Sequence, residues 1–293
     1  MQNNEMNENQ IRNPQSTIRN CYVGCQGWNY EDWITKAGGD EIFYPYHTRA
    51  NEMLTIYAKA FNTVEVDSTF YAIPSKSSVE GWYRKTPSGF TFSLKLPQVI
   101  THEQFLHRSS FPTLVEFCER IGILKEKLGC VLIQLPPQFA ANSFNSTALK
   151  EFLPALPRDI RFAIEFRSRD WIHTEVLEML SKHNVTLALV EGQWLDHQQM
   201  MSCAEQPTAD FVYIRWMGAR DLTSFDKVVR PQDENLLTWS KVIKRLSFRV
   251  DEIYATFSNF YEGHAPASAN KLKTLLGQPT VEASNLETQP SLF

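Results

Sequence analysis

The chain has 293 residues, 43 % hydrophobic and 21 % charged, with 29 basic residues against 33 acidic ones for a formal net charge of -4. That composition fits an ordinary globular chain with ample core material, and it gives no global basic face for nucleic acid, leaving room only for a local positive groove. No run of eighteen apolar residues occurs, so no transmembrane helix is expected, and five scattered cysteines argue against a disulfide framework and for a reducing cytoplasm.

Residues 1–20 are polar and without periodicity, which predicts a disordered leader lacking a secretory signal of the usual form. From there short apolar or alternating runs recur at 22–28, 63–70, 91–97, 130–136, 161–168, 186–191, 210–217 and 252–259. Between them, helical spacing marks 49–60, 75–86, 111–128, 146–154, 173–183, 233–248 and 266–276. Residues 192–209 carry no clear helical stripe, and the aromatic segment 29–48 reads as a loop over one end. The barrel domain is expected to span 21–277, followed by a polar tail over 278–293.

Eight strand–helix units without hairpin signals point to parallel pairing and match the size of a single α/β domain, a closed (β/α)8 barrel of the TIM type. The alternative is an open doubly wound sheet. Against it, Gly24 and Gly27 alone do not make a nucleotide fingerprint after the first strand, and no phosphate-loop motif is present.

In a barrel strand, alternate residues face the helices and the lumen. Placing Val64 and Val66, Leu94 and Leu96, Ile133, Ile164 and Ile214 outward turns Glu65 and Asp67, Lys95, Gln134, Glu165 and Arg167, and Arg215 inward. Three acids and three bases from four strands then share one lumen, near the end where such barrels bind ligands. A charge-neutral network that merely fills the barrel is the plainer reading, but apolar fillers would pack with less desolvation. The mixed set therefore reads as a polar site whose Glu65, Asp67, Lys95 and Glu165, joined by His102 after the third strand, could serve as acid/base groups.

Around them, Trp28, Tyr71 and Trp171 follow strand ends and could wall a pocket, while Gln134, Arg167, Arg215 and Asn259 could hold a ligand. Gly218, Gly263 and the amino end of the last helix lie where barrels often take phosphate. Glu65, Asp67, Glu165 and His102 could instead hold a divalent metal, though Lys95 would compete for the acids and no metal-type histidine spacing supports it. A Schiff base on Lys95 would suit aldolase-type chemistry, with a salt-bridged lysine as the plain alternative.

The ordered set Gly24-x-x-Gly27-Trp28, Phe61 through Tyr71, Ile100-Thr101-His102, Gln134-Leu135-Pro136-Pro137, Glu165-x-Arg167 with Trp171, and Tyr213-x-Arg215 resembles the YecE-like proteins, domain of unknown function 72. The resemblance runs from about residue 22 to 276 and implies a β/α barrel while leaving the chemistry open. The family pattern commonly has His at position 168, His at 217 and Asn at 258, where this chain has Ser168, Met217 and Ser258. Three function classes stay open. They are acid/base enzymology of a hydrolase or lyase kind on a small anionic or sugar-like metabolite, ligand binding without turnover, and nucleic-acid processing, which the net charge disfavours.

Overall fold

A computed structural model describes residues 20–286, so all of the expected 1–20 leader but Asn20, and the last seven residues of the chain, lie outside the described residues. Strands β1 (Cys21–Gln26), β2 (Thr63–Val66), β3 (Thr91–Lys95), β4 (Leu128–Gln134), β5 (Phe162–Glu165), β6 (Val185–Leu187), β7 (Leu189–Glu191), β8 (Phe211–Trp216) and β9 (Glu252–Phe257) form one sheet. Every pairing is parallel, in the order β6-β5-β4-β3-β2-β1-β9-β8-β7. The two ends of that order are halves of one sequence run that switches partner at Ala188. β6 pairs with β5 and β7 with β8, so the chain itself closes the ring. The fold is a TIM-type barrel of eight strand positions, as the periodicity predicts.

The helices are α1 (Ala50–Ala60), α2 (Lys76–Lys85), α3 (Phe111–Ile121), α4 (Ser143–Phe152), α5 (Thr174–Lys182), α6 (His197–Ala204), α7 (Asp233–Leu246), the short α8 (Asn259–Glu262) and α9 (Ala265–Leu275). None is long and apolar enough to cross a membrane. Their apolar faces cover the outward strand residues, with Val64, Leu94, Ile133, Ile164 and Ile214 fully buried between the layers. Each such side chain stabilises the fold by roughly 1.5–3 kcal/mol. A separate cluster of Cys130, Leu132, Ala163, Val190, Phe211, Tyr213 and Tyr254 fills the lower lumen, confirming the parity of the strands. Tyr22 stacks on Tyr254 at 5.2 Å beneath it. The lumen is therefore apolar at the amino end and charged above.

Two segments differ from the periodicity. The helical reading over 111–128 breaks after Ile121 into tight turns over Gly122–Lys127, with Lys125 at φ 51°. Leu124 stays buried there, so the apolar spacing continues through a kink it cannot register. Within 192–209, α6 forms although only Met200 and Ala204 are buried on it, because Asp196 Oδ1 caps its first turn by accepting from the backbone N–H groups of Gln198 and Gln199. The 29–48 loop buries Trp33 and Tyr44 completely. At the far end, Leu286 is fully buried and the Gln278 amide donates to the Cys21 carbonyl at 2.8 Å, so residues 278–286 pack onto the barrel.

Candidate functional site

The carboxyl ends of the strands set the site. β8 carries Arg215 inward, and no part of that side chain reaches solvent. Its Nε donates to Glu65 Oε2 at 2.9 Å and its Nη2 to Glu65 Oε1 at 2.6 Å. Its Nη1 donates to Glu165 Oε2 and, at 3.5 Å, to Gln134 Oε1. Glu65 Oε2 also accepts from the Tyr213 hydroxyl at 2.7 Å and from Thr256 Oγ1 at 3.2 Å. Both glutamates are thus consumed in holding one guanidinium, the arrangement that makes a buried charge tolerable.

Arg167 extends this network by donating from Nε to Glu165 Oε1 at 2.9 Å, and its guanidinium lies 5.5 Å from the Trp194 ring. Burial alone would raise the Glu165 carboxyl, but Arg215, Arg167 and Lys95 outweigh it and bring the group down to about 2. Glu165 is therefore ionised at neutral pH.

A second pair sits above. Lys95, the last residue of β3, places Nζ 3.0 Å from Asp67 Oδ1 and 5.3 Å from the Phe70 ring centre. Asp67 follows β2 and opens the turn Ser68–Phe70, which Thr69 anchors by donating to the carbonyls of Val66 at 3.1 Å and Lys95 at 2.8 Å. The Asp67 side chain is 40 % exposed and that of Lys95 only 10 %, so this pair faces the cavity with one carboxylate oxygen to spare. His102 lies beside it, its ring edge-on to Phe70 at 4.9 Å and its Nδ1 2.8 Å from Thr101 Oγ1. Burial, then the charges of Arg167 and Lys95, lower its pKa to about 4, so the imidazole is neutral at neutral pH.

Between these groups opens a cavity of about 140 Å³. Its floor includes Arg215 and Gln26, and one wall is formed by Asp67, Lys95, Phe70 and Tyr71. Tyr30, Met217, Arg220, Ser258 and Phe260 complete the lining.

Of the residues singled out from the sequence, Asp67, Lys95, Tyr71 and Arg215 line this cavity. Glu65, Gln134, Glu165 and Arg167 lie around Arg215, and His102 flanks Phe70. Trp28 packs edge-on against Trp82 on α2 at 6.2 Å. Trp171 is buried between Phe139 and Phe166. Asn259 Oδ1 accepts from Trp33 Nε1 at 3.1 Å and from the Ala265 N–H at 3.0 Å, which caps the amino end of the last helix. Gly218 and Gly263 both have positive φ and touch neighbouring backbone closely.

The potential metal ligands are otherwise engaged, Glu65 and Glu165 on Arg215 and Asp67 on Lys95. Among the described residues no three His, Cys, Asp or Glu side chains form a set able to hold a metal ion. Lys95 is salt-bridged, as in the plain reading of that residue. Gln26, Tyr30, Phe70, Met217, Arg220, Ser258 and Phe260 were not singled out as site residues. Strand parity could have reached Gln26 and Ser258, since each lies two residues beyond an inward position. Arg220 lies on a loop and has no such signal.

The sequence matches the family described as "Protein of unknown function DUF72" over residues 22–291. The chain belongs to the DUF72 family. It is 24 % identical to UPF0759 protein YunF of Bacillus subtilis strain 168 over 276 residues, 87 % of this chain and 94 % of the relative. UPF0759 protein YecE of Escherichia coli K12 is 30 % identical over 146 residues, 50 % of this chain and 48 % of that protein. Among solved structures, a DUF72 protein from Thermotoga maritima MSB8 superposes with a TM-score of 0.73 at 28 % identity, covering 88 % of this chain and 99 % of that one. A DUF72 protein from Enterococcus faecalis V583 shares the fold with a TM-score of 0.68 at 19 % identity, over 89 % and 97 % of the two chains. Met217 and Ser258, both singled out above as differing from the resemblance pattern, line the cavity.

Proposed function

We propose that this DUF72 barrel is an enzyme that moves a proton on a small anionic or sugar-like metabolite held in the cavity above Arg215. The observation that carries the reading is the Lys95–Asp67 pair, 3.0 Å apart and facing the cavity, over a guanidinium locked by Glu65 and Glu165. Asp67 and Lys95 are the proton-transfer partners, because a carboxylate and an ammonium in contact can exchange a proton with a ligand bound beside them. In this reading Glu65 and Glu165 are positioning residues rather than acid/base groups: their oxygens are committed to Arg215, Arg167, Tyr213 and Thr256. Neutral His102 stands by as a further proton acceptor. Tyr71 and Phe260 offer faces for the ligand's carbon skeleton, the usual complement to a few polar contacts.

The test is a panel of sugars, sugar phosphates and organic acids, screened by thermal shift and then by product formation on the wild type, Asp67→Asn and Lys95→Met. Turnover that both substitutions remove while the fold persists is expected. A panel without any shift on the wild type would remove the reading's support.

A second reading is ligand binding without turnover, favoured by Met217 and Ser258 in the wall, where the family pattern commonly places an imidazole and an amide. It predicts that a bound compound is recovered unchanged, which mass balance by NMR reads directly.

A further inference from the structure

The charges around the cavity do not cancel evenly. Lys95 is matched by Asp67, while Arg215 and Arg167 are matched by Glu65 and Glu165. Arg220, exposed on the segment after β8, lines the cavity and forms no ion pair among the described residues. The uncompensated charge at the cavity is therefore positive.

A second group lacks a partner. Gln26 ends β1 and is 4 % exposed, and its Nε2 donates to no protein atom. A buried amide donor left unpaired costs about 1–3 kcal/mol, so a well-packed barrel that retains one has reason to satisfy it with something else. Gln26 lines the same cavity as Arg220 and Lys95. Ser258 adds to it: its oxygen accepts from the Phe260 N–H at 3.3 Å, and its own O–H remains free to donate. Asp67 supplies the carboxylate of the lining, and Lys95 already holds it.

We infer that the cavity recognises its ligand through one oxyanion group, a carboxylate or a phosphate monoester, received by Arg220, Gln26 and Lys95. The inference rests on the cavity being the ligand site proposed above, and it adds the class of ligand and the residues that select it. Arg220 supplies the charge and a planar fork suited to two oxygens. Gln26 supplies an amide donor that has no protein partner. Lys95 sets the anion beside Asp67, so the atoms next to the oxyanion are those the proton-transfer pair can reach. A cavity near 140 Å³ is comparable to the ~150 Å³ that admits benzene, which limits the enclosed part of the ligand to a few carbons beyond its anionic group.

The experiment is calorimetric titration of the full chain with glycolate, glycerol 3-phosphate and inorganic phosphate, each set against neutral glycolamide or glycerol, on the wild type, Arg220→Gln and Gln26→Leu. The expected result is binding of glycolate or glycerol 3-phosphate at least about tenfold tighter than of its neutral counterpart, as loss of a charge-assisted contact predicts. Arg220→Gln weakens the anion by about tenfold or more without changing the melting temperature. Gln26→Leu also weakens the anion, while its melting temperature stays level or rises because an unpaired amide is removed. Whichever arm binds more tightly tells carboxylate from phosphate.

Glycerol binding as well as glycerol 3-phosphate, or anion affinity unchanged in Arg220→Gln, would overturn the inference and leave the acid/base reading standing. Anion binding that depends on Arg220 without turnover of any compound would keep the inference and remove the catalytic reading. Failure of every probe to bind the wild type would overturn the inference, while the acid/base reading falls only if the wider panel of sugars, sugar phosphates and organic acids is silent too.

Discussion

Arg215 and Glu65 meet in a two-point ion pair, Nε to Oε2 at 2.9 Å and Nη2 to Oε1 at 2.6 Å, with neither side chain exposed. They come from β8 and β2, which β9 and β1 separate in the sheet, so the pair spans the lumen instead of joining neighbouring strands. Glu165 on β5 reaches the same guanidinium from another side. The three residues bind distant parts of the ring together at the level where the apolar filling ends. The cavity floor is consequently rigid, and preorganised charge is what a site for a small polar ligand needs.

Removing one partner leaves the other buried and unpaired. Glu65→Gln is expected to destabilise the protein by about 3–5 kcal/mol, read from urea unfolding. Arg215→Lys will not restore it, because an ammonium cannot reproduce the two-point contact. A loss below about 1 kcal/mol would mean that water or a rearranged neighbour compensates the charge.

Glu165 gives the fold an acid limit. Its folded pKa is about 2 against an ordinary value of 4.5, so its contribution is fully present above the unfolded value and is lost as pH falls toward 2. Wild-type stability is expected to decline between about pH 4.5 and 2. Arg167→Met, which removes one of the charges lowering that pKa, shortens the window from its acid side. Unfolding free energies across pH check this, and identical slopes in the two proteins would contradict it.

His102 should titrate near pH 4, well under the ordinary value of 6.5. Because its folded pKa is lowered, its contribution to stability is complete above 6.5 and is lost as pH falls from there toward 4. An NMR titration of the imidazole signals, assigned by comparison with His102→Gln, measures the midpoint. A midpoint at 6.5 would show that neither burial nor the nearby cations act on the ring.

Gly218 joins β8 to the cavity wall at φ +65°, where a Cβ would stand 2.1 Å from the Phe260 carbonyl oxygen and 2.7 Å from Tyr261 Cα. Gly218→Ala should therefore displace the segment carrying Phe260, with a loss of roughly 1–2 kcal/mol from the left-handed backbone alone and more from the clash. Thermal unfolding together with ligand affinity would show it. A variant as stable as the wild type would place the close approach in doubt.

The barrel was legible because its strands alternate cleanly. Val64, Glu65, Val66 and Asp67 announce both the strand and which side faces in, and Glu165, Arg167 and Arg215 follow the same rule. Which of those inward charges would be spent on one another was not legible, since parity sets direction and not depth. Glu65 and Asp67 are two residues apart, yet one is sealed against Arg215 and the other half-open beside Lys95. Gln26 was within reach of the same argument but sits on a strand whose Gly24 and Cys25 blur the alternation. Arg220 comes to the cavity on a loop and Phe260 on the one-turn α8, and neither carries a periodicity to read. Trp28 and Asn259 look like pocket residues in sequence because they follow strand ends, and their neighbours Trp82 and Trp33 appear only in three dimensions.

Proton exchange measured by NMR in deuterated water tests the central claim most directly. Small hydroxy acids, keto acids and sugar phosphates are incubated with the wild type, Asp67→Asn and Lys95→Met, and deuterium entering a carbon-bound position or a product is followed over time. The account predicts exchange or conversion of at least one compound by the wild type, lost in both variants while their melting temperatures show an intact fold. A compound that binds tightly in the cavity and returns unexchanged, with wild type and variants alike, would contradict it.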